Sequence, residues 1–176
     1  MNKNIRSSLF VPALALLVAG VSHAQTAPAA NPLDAVPDKM PFDIPYGAPV
    51  TLDRAEAVLA ASLADANKRG WRLVCAVLDS GGNLVSLKRM DGAQLASIDI
   101  AVHKARTAVK FRRETKVFET NVQTGNVYKL TLDDVVASRG GIPLVSEGKL
   151  VGAIGCSGGS GSQDEVAAKA GVAAFK

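Results

Sequence analysis

A chemical reading of this chain begins at His103. The 176 residues contain two histidines, His23 and His103. At about 100° per residue, one helix face collects Ile100, His103, Thr107 and Phe111, with Asp99, Arg106 and Lys110 at its margin. Two large apolar residues beside one imidazole and flanking cations suit a cleft for a flat, apolar, anionic ligand. His103 would meet a metal there, and Arg106 and Lys110 would meet carboxylates. The same face would equally serve as a subunit interface, or as the solvated side of an amphipathic helix carrying an ordinary surface histidine.

Two neighbouring features widen the choice. Lys104, Arg106, Lys110, Arg112, Arg113 and Lys116 fall within thirteen residues, against the single acid Glu114. Phe111 is the only aromatic among them, so the stacking residues of a nucleic-acid surface are missing and a small anionic ligand is the better match. The stretch from Gly152 to Ser162 is glycine-rich where a strand should pass into a helix, and backbone N–H groups at such a junction can bind an anion. It has neither the Walker spacing nor GxGxxG, and turns needing positive φ account for its glycines. Cys156 with His103 is the one Cys/His pairing that uses Cys156, and no His, Cys and carboxylate cluster shows metal-site spacing.

The elements that must position these residues follow from periodicity. Ala55, Val58, Leu59, Ser62, Leu63 and Ala66 share one helix face, and Gly70 is placed to end that helix. Trp71 to Asp79 reads as a buried strand, Ser80 to Asn83 as a turn, and Leu84 to Met90 as the returning strand. A second helix is expected from Ala93 to Phe111, with Leu95, Ile98, Val102, Ala105 and Val109 facing the core. Short helices are expected around Thr115 to Glu119 and Leu132 to Ala137. Ile142 to Val145 and Lys149 to Cys156 then form a second hairpin, and Ser162 with Glu165 has the spacing of a capping box for a last helix ending near Phe175. Two hairpins interleaved with helices predict an α+β fold, an antiparallel sheet with helices packed on it.

Composition agrees with one globular domain: 48% hydrophobic, 20% charged and 5% aromatic residues, which sets aside disorder, collagen-like repeats and disulfide-dense scaffolds. Residues 1–24 read as a secretory signal peptide: Lys3 and Arg6, an apolar stretch from Leu9 to Val21, and the small residue Ala24. The stretch is too short to span a bilayer comfortably, so no stable membrane insertion is expected after cleavage, and the protein is expected to be periplasmic or secreted. Cleavage would remove two cations, lowering the formal charge of +4 to +2 and with it the whole-chain argument for nucleic acid. Residues 25–50 form a Pro-rich arm in which Met40, Phe42, Ile44 and Tyr46 alternate, so its later half is expected to dock on a surface. Residues 51–176 make the compact domain. Cys75 and Cys156, each in an apolar run, are expected to be free buried thiols, with a disulfide as the other reading.

The order and spacing of four motifs resemble the GlcG/HbpS-like heme-binding family. They are Val77 to Leu84, Arg89 to Ala93, Lys104 to Ala108, and Gly140 to Leu144 continuing through Gly152–Gly159 to Gln163-Asp164-Glu165. The resemblance covers about Thr51 to Lys176. It implies a three-layer α/β/α domain with a five-stranded antiparallel sheet of profilin-like type, homo-oligomeric assembly, heme binding with a proposed heme-degrading activity, and a relation to accessory domains of corrinoid-processing proteins. Heme is therefore the expected cofactor, with a corrinoid behind it. The expected site comprises His103 as metal ligand with Ile100, Lys104, Arg106, Thr107, Lys110 and Phe111; Thr107 or an arm residue such as Tyr46 is the alternative ligand. The family motif includes Lys104, Arg106 and Thr107, whereas His103 lies just before it. An exported heme-binding protein for sequestration, sensing or transfer is the leading reading. The alternatives are an enzyme acting on heme or a small organic acid, or an oligomeric accessory module without a cofactor.

Overall fold

The computed structural model describes residues 35–40 and 42–175. The expected signal peptide and the first part of the arm lie outside the described residues. The compact unit begins at Lys39. Its elements are α1 (Leu52–Lys68), β1 (Val74–Asp79), β2 (Leu84–Arg89), α2 (Ser97–Phe111), α3 (Lys116–Gln123), a short 3-10 helix (Val127–Thr131), β3 (Gly141–Ser146), β4 (Lys149–Ser157) and α4 (Gly161–Ala174).

Strict alternation along β1 dictates the layering. Cys75 and Val77 face one side, where they join Val58, Leu59, Ile154 and Ala168 in a core under α1 and α4. Val74, Ala76 and Leu78 face the other side and join Ala101, Ala105, Ala108 and Leu150 under α2. A sheet apolar on both faces must be covered on both, which gives helix, sheet and helix layers. The four strands run antiparallel in the order β2-β1-β4-β3.

The fifth strand implied by the resemblance is not formed among the described residues. Where β1 stops pairing with β4 at Asp79 and Gly152, the arm takes over: Tyr46 makes an isolated parallel bridge with Leu150. Gly47 donates to Leu150 O, Leu150 to Pro45 O and Val50 to Val151 O, each at 2.8 Å. Pro45 and Pro49 carry no N–H, so the ladder does not propagate.

The second helix starts at Ser97 rather than Ala93: residues 93–94 take no regular structure, residues 95–96 form a turn, and Leu95 stays exposed. Ser97 is buried, with its Oγ 3.2 Å from that of Ser157, and this contact fixes the first turn against β4. The face meeting the sheet includes the expected Ala105 and Val109, both buried, and is extended by smaller residues. A Cβ on Gly155 would lie 2.1 Å from Ala101 O and 2.5 Å from Ala105 N, and one on Gly141 would lie 2.3 Å from Lys104 O. The helix backbone therefore rests on bare strand backbone, and its contact face is the small-residue set Ala101, Ala105 and Ala108. Ile98 and Val102 flank that contact, partly buried. Residues 132–137 form no helix. The last helix is capped by Ser160 with Gln163 rather than by Ser162 with Glu165. Both pairs have the right spacing, but Glu165 is engaged with Lys116, Arg139 and Lys169 and cannot turn back to the cap.

Cys75 and Cys156 are bonded, which corrects the expectation of free thiols. They are register partners on adjacent antiparallel strands, with Cα atoms 4.2 Å apart; each run looked like ordinary core because the partner lies 81 residues away.

Two expectations for stability follow. A Cys75→Ala/Cys156→Ala variant should lose about 2–4 kcal/mol in urea unfolding relative to the oxidised parent; equal midpoints would show that the bridge does not contribute. Lys104 and Asp164 form a buried ion pair, Nζ to Oδ2 2.7 Å, with both side chains at most 3% exposed. Asp164→Asn should cost about 3–5 kcal/mol by leaving the ammonium unpaired, whereas Lys104→Met combined with Asp164→Leu should recover most of that loss. Equal unfolding midpoints for the single and double variants would contradict this account.

Candidate functional site

The face predicted around His103 divides in the structure. His103 itself is exposed, and Ile100 and Arg106 are half-buried beside it. Lys110 reaches Asp134 in the loop after the 3-10 helix, forming an exposed ion pair. The hydrogen bond from Lys110 holds the Asp134 carboxyl below its ordinary value against the opposing effect of burial, with the charges of Lys110, Arg106 and His103 adding to it. Thus His103, Arg106 and Lys110 share one neighbourhood. Thr107 is buried and supports that loop: its Oγ1 lies 2.5 Å from Asp134 O and 3.0 Å from His103 O, and accepts the Val136 N–H at 3.0 Å.

The remaining predicted residues point elsewhere. Lys104 is turned inward to Asp164, away from any ligand on the His103 face. Burial pushes the Asp164 carboxyl above its ordinary value, and Lys104 and the Gly159 N–H pull it back. Phe111 packs edge-on against the buried Phe118, ring centroids 5.1 Å apart. Tyr46, considered as a ligand, directs its hydroxyl at Val109 O and Lys110 O, 3.1 Å from each.

The glycine-rich junction is not an open anion site. Two of its N–H groups are taken internally, Gly159 by Asp164 Oδ1 at 3.0 Å and Ser160 by Gln163 Oε1 at 2.8 Å. The chain's own carboxylate and amide occupy the position an anion would fill. Among the described residues, no group of three His, Cys, Asp or Glu side chains could hold a metal ion, and no helix is long and apolar enough to cross a membrane.

The principal cavity lies at the other end of α2. It is an open cleft of about 820 Å³, within the roughly 300–1,000 Å³ range of small-molecule sites. The arm supplies Phe42 and Ile44, α3 supplies Val117 and Thr120, β3 supplies Ile142 and Val145, and the end of α4 supplies Val172 and Phe175. The turn between α2 and α3 adds Arg112 and Arg113, and the first residue of α3 adds Lys116, with Glu114 the only acid in the lining.

Local structure explains how these cations are held. Arg112 ends α2 in the left-handed conformation, φ 55°, and donates to Ile44 O at 3.2 Å. Arg113 lies over the Phe42 ring, 3.3 Å from its centre, and donates through Nε to Phe111 O at 2.9 Å. Burial, with the charge of Arg112 beside it, lowers the Arg113 guanidinium from its ordinary value. Lys116 is 3.4 Å from Glu165, which also meets Arg139 and Lys169. Burial would raise the Glu165 carboxyl, but the hydrogen bonds and charges of Lys169 and Lys116 bring it below its ordinary value.

None of the six cofactor-contacting residues expected beside His103 lines this cleft, nor does His103. Two signals in the sequence did point toward it: the alternation of Phe42, Ile44 and Tyr46, and the C-terminal half of the cation run. Their meeting depends on the arm turning back along β4, which no local pattern encodes.

Comparison with known proteins places the chain. A family model described as haem degrading protein HbpS-like matches residues 50–173. Protein GlcG of Escherichia coli K12 is 41% identical over 103 residues, covering 58% of this chain and 77% of GlcG. The crystal structure of a double mutant of HbpS from Streptomyces reticuli superposes with a TM-score of 0.68 at 31% identity, covering 85% of this chain and 99% of that one. A PduOC:heme complex gives 0.67 at 29% identity, covering 73% and 96%. With the family match spanning both hairpins, α2 and nearly all of α4, the chain belongs to the HbpS-like family.

Proposed function

We propose that this protein binds heme, and that the cleft between the arm, α3, β3 and α4 receives the macrocycle. The observation that carries the reading is the pairing of a broad apolar slot with Arg112, Arg113 and Lys116 at its edge. A porphyrin is a flat apolar plate with carboxylates on one side, so its two halves match the two halves of this lining. Each carboxylate held by a cation is worth about 1.5–3 kcal/mol when partly shielded from water. Membership of a family named for haem, and likeness to a fold solved with heme bound, support heme over a corrinoid.

The fit is good for the macrocycle and poor for the iron. The cleft lining contains no histidine, cysteine, methionine or tyrosine, which are the side chains that ordinarily hold heme iron. A second reading therefore keeps the ligand at His103, where the imidazole is exposed and Arg106 and Lys110 lie near it around Asp134.

A role in sequestration, sensing or transfer outside the cytoplasm suits an open cleft, from which a ligand can leave as readily as it enters. The signal-like N-terminus and the Cys75–Cys156 bridge both support export, since such bridges persist in oxidising compartments. Homo-oligomeric assembly belongs to the same proposal.

Titration of the protein lacking residues 1–24 with hemin should give a saturable Soret change. Thr120→Trp, which fills the cleft from α3, should weaken binding at least about tenfold, while His103→Ala should leave it within about twofold. The reverse pattern would move the site to the His103 face, and a flat titration of the parent at micromolar hemin would overturn heme binding.

A further inference from the structure

The absence of a customary iron ligand from the cleft lining has a chemical consequence, which rests on the cleft being the tetrapyrrole site. We infer that the cleft recognises the porphyrin macrocycle and its carboxylates rather than the iron, so that metal-free and iron porphyrins are held with closely similar affinity.

The donors present in the lining favour this. Glu114, Thr120 and Asn121 offer hard oxygen or amide groups, weak partners for a porphyrin iron beside imidazole, thiolate, thioether or phenolate. The nitrogen of Lys116 is directed toward Glu165 at 3.4 Å.

Stronger ligand types exist in the described chain but are placed or committed elsewhere. Met90 packs against the core and its sulfur accepts from Leu73 N, and Tyr128, in the 3-10 helix, is outside the lining. Cys75 and Cys156 are bonded to each other and wholly buried. The Tyr46 hydroxyl is engaged with backbone carbonyls at the end of α2. Met40 is 71% exposed and outside the lining. His103 is nine residues before Arg112 on α2, roughly 14 Å along the axis at 1.5 Å per residue.

What the cleft does supply is independent of the metal. Phe42, Val117, Ile142 and Phe175 give apolar contact to a planar ring, and adjacent guanidiniums at 112 and 113 give paired donors for carboxylate oxygens. Both interactions act equally on a porphyrin with iron, with zinc or with two protons at its centre. A site of this kind handles the tetrapyrrole before metal insertion or after metal loss as well as the finished heme.

The test compares protoporphyrin IX, its zinc complex and hemin on the protein lacking residues 1–24, followed by the change in porphyrin absorbance. The three dissociation constants should agree within about threefold. Arg113→Gln and Thr120→Trp should weaken all three in parallel, by about tenfold or more, with thermal melting confirming that each variant is folded. His103→Ala and Met40→Ala should change none of them.

Hemin binding at least about thirtyfold tighter than protoporphyrin IX, with that margin lost in His103→Ala or Met40→Ala, would overturn the inference and leave heme binding intact. Failure of all three porphyrins to bind would overturn the proposed function itself.

Discussion

The buried pair between Lys104 and Asp164 is the constraint around which the other elements are arranged. It joins the middle of α2, on one face of the sheet, to the first turn of α4, on the other, past the end of β4. Neither charge can stand alone at that depth, so each fixes the position of the other's helix. Gly140 has no side chain because a Cβ there would fall 2.8 Å from both Asp164 Cβ and Cys156 O and 3.2 Å from Lys104 Nζ. The second oxygen of Asp164 holds Gly159, which sets the junction into α4. The neighbouring residue Glu165 then faces Lys116, Arg139 and Lys169. One inward ion pair thereby orients an outward ionic network, and that network supports the polar side of the cleft.

Much of this architecture was legible in the chain, and the parts that were not share a cause. Both hairpins, the first and last helices, and the docking of Phe42, Ile44 and Tyr46 follow from periodicity and turn chemistry. The packing face of α2 did so only in part: Ala105 and Val109 are core residues as expected, but hydrophobic periodicity gives weight to large residues. Here the contact is made by alanines over Gly141 and Gly155, where proximity of backbones replaces bulk. Lys104 was read as a ligand-facing cation because its partner is 60 residues distant. The disulfide was hidden in the same way: its two cysteines look like separate core residues until the strand register sets them opposite each other. The cleft needs five segments to converge, and each contributes two to four unremarkable residues.

The division of α2 into three faces clarifies its chemistry. Its alanines meet the sheet, its lysine at 104 meets α4, and its outward face carries His103, Arg106 and Lys110 beside Asp134. Past Phe111 the chain reverses direction at Arg112, and the remaining cations of the run become the rim of the cleft. A stretch that reads as one basic patch is three environments: a buried pair, a solvated pair with Asp134, and an apolar-walled group suited to carboxylates.

The contact between α1 and α4 bears on how the chain comes into being. These are the first and last helices of the compact unit, and they cover the same face of the sheet. Gly171 of α4 lies so close to α1 that a Cβ there would sit 2.2 Å from Ser62 Oγ. During vectorial synthesis, β1, β2 and α2 emerge while the face beneath α1 is still uncovered on the side that α4 will occupy. The layer closes only once α4, which follows every strand of the sheet in chain order, is in place. The two faces of the sheet thus differ in how far along the chain their covers lie: α2 follows β2 directly, whereas the other face is completed from residues 161–174.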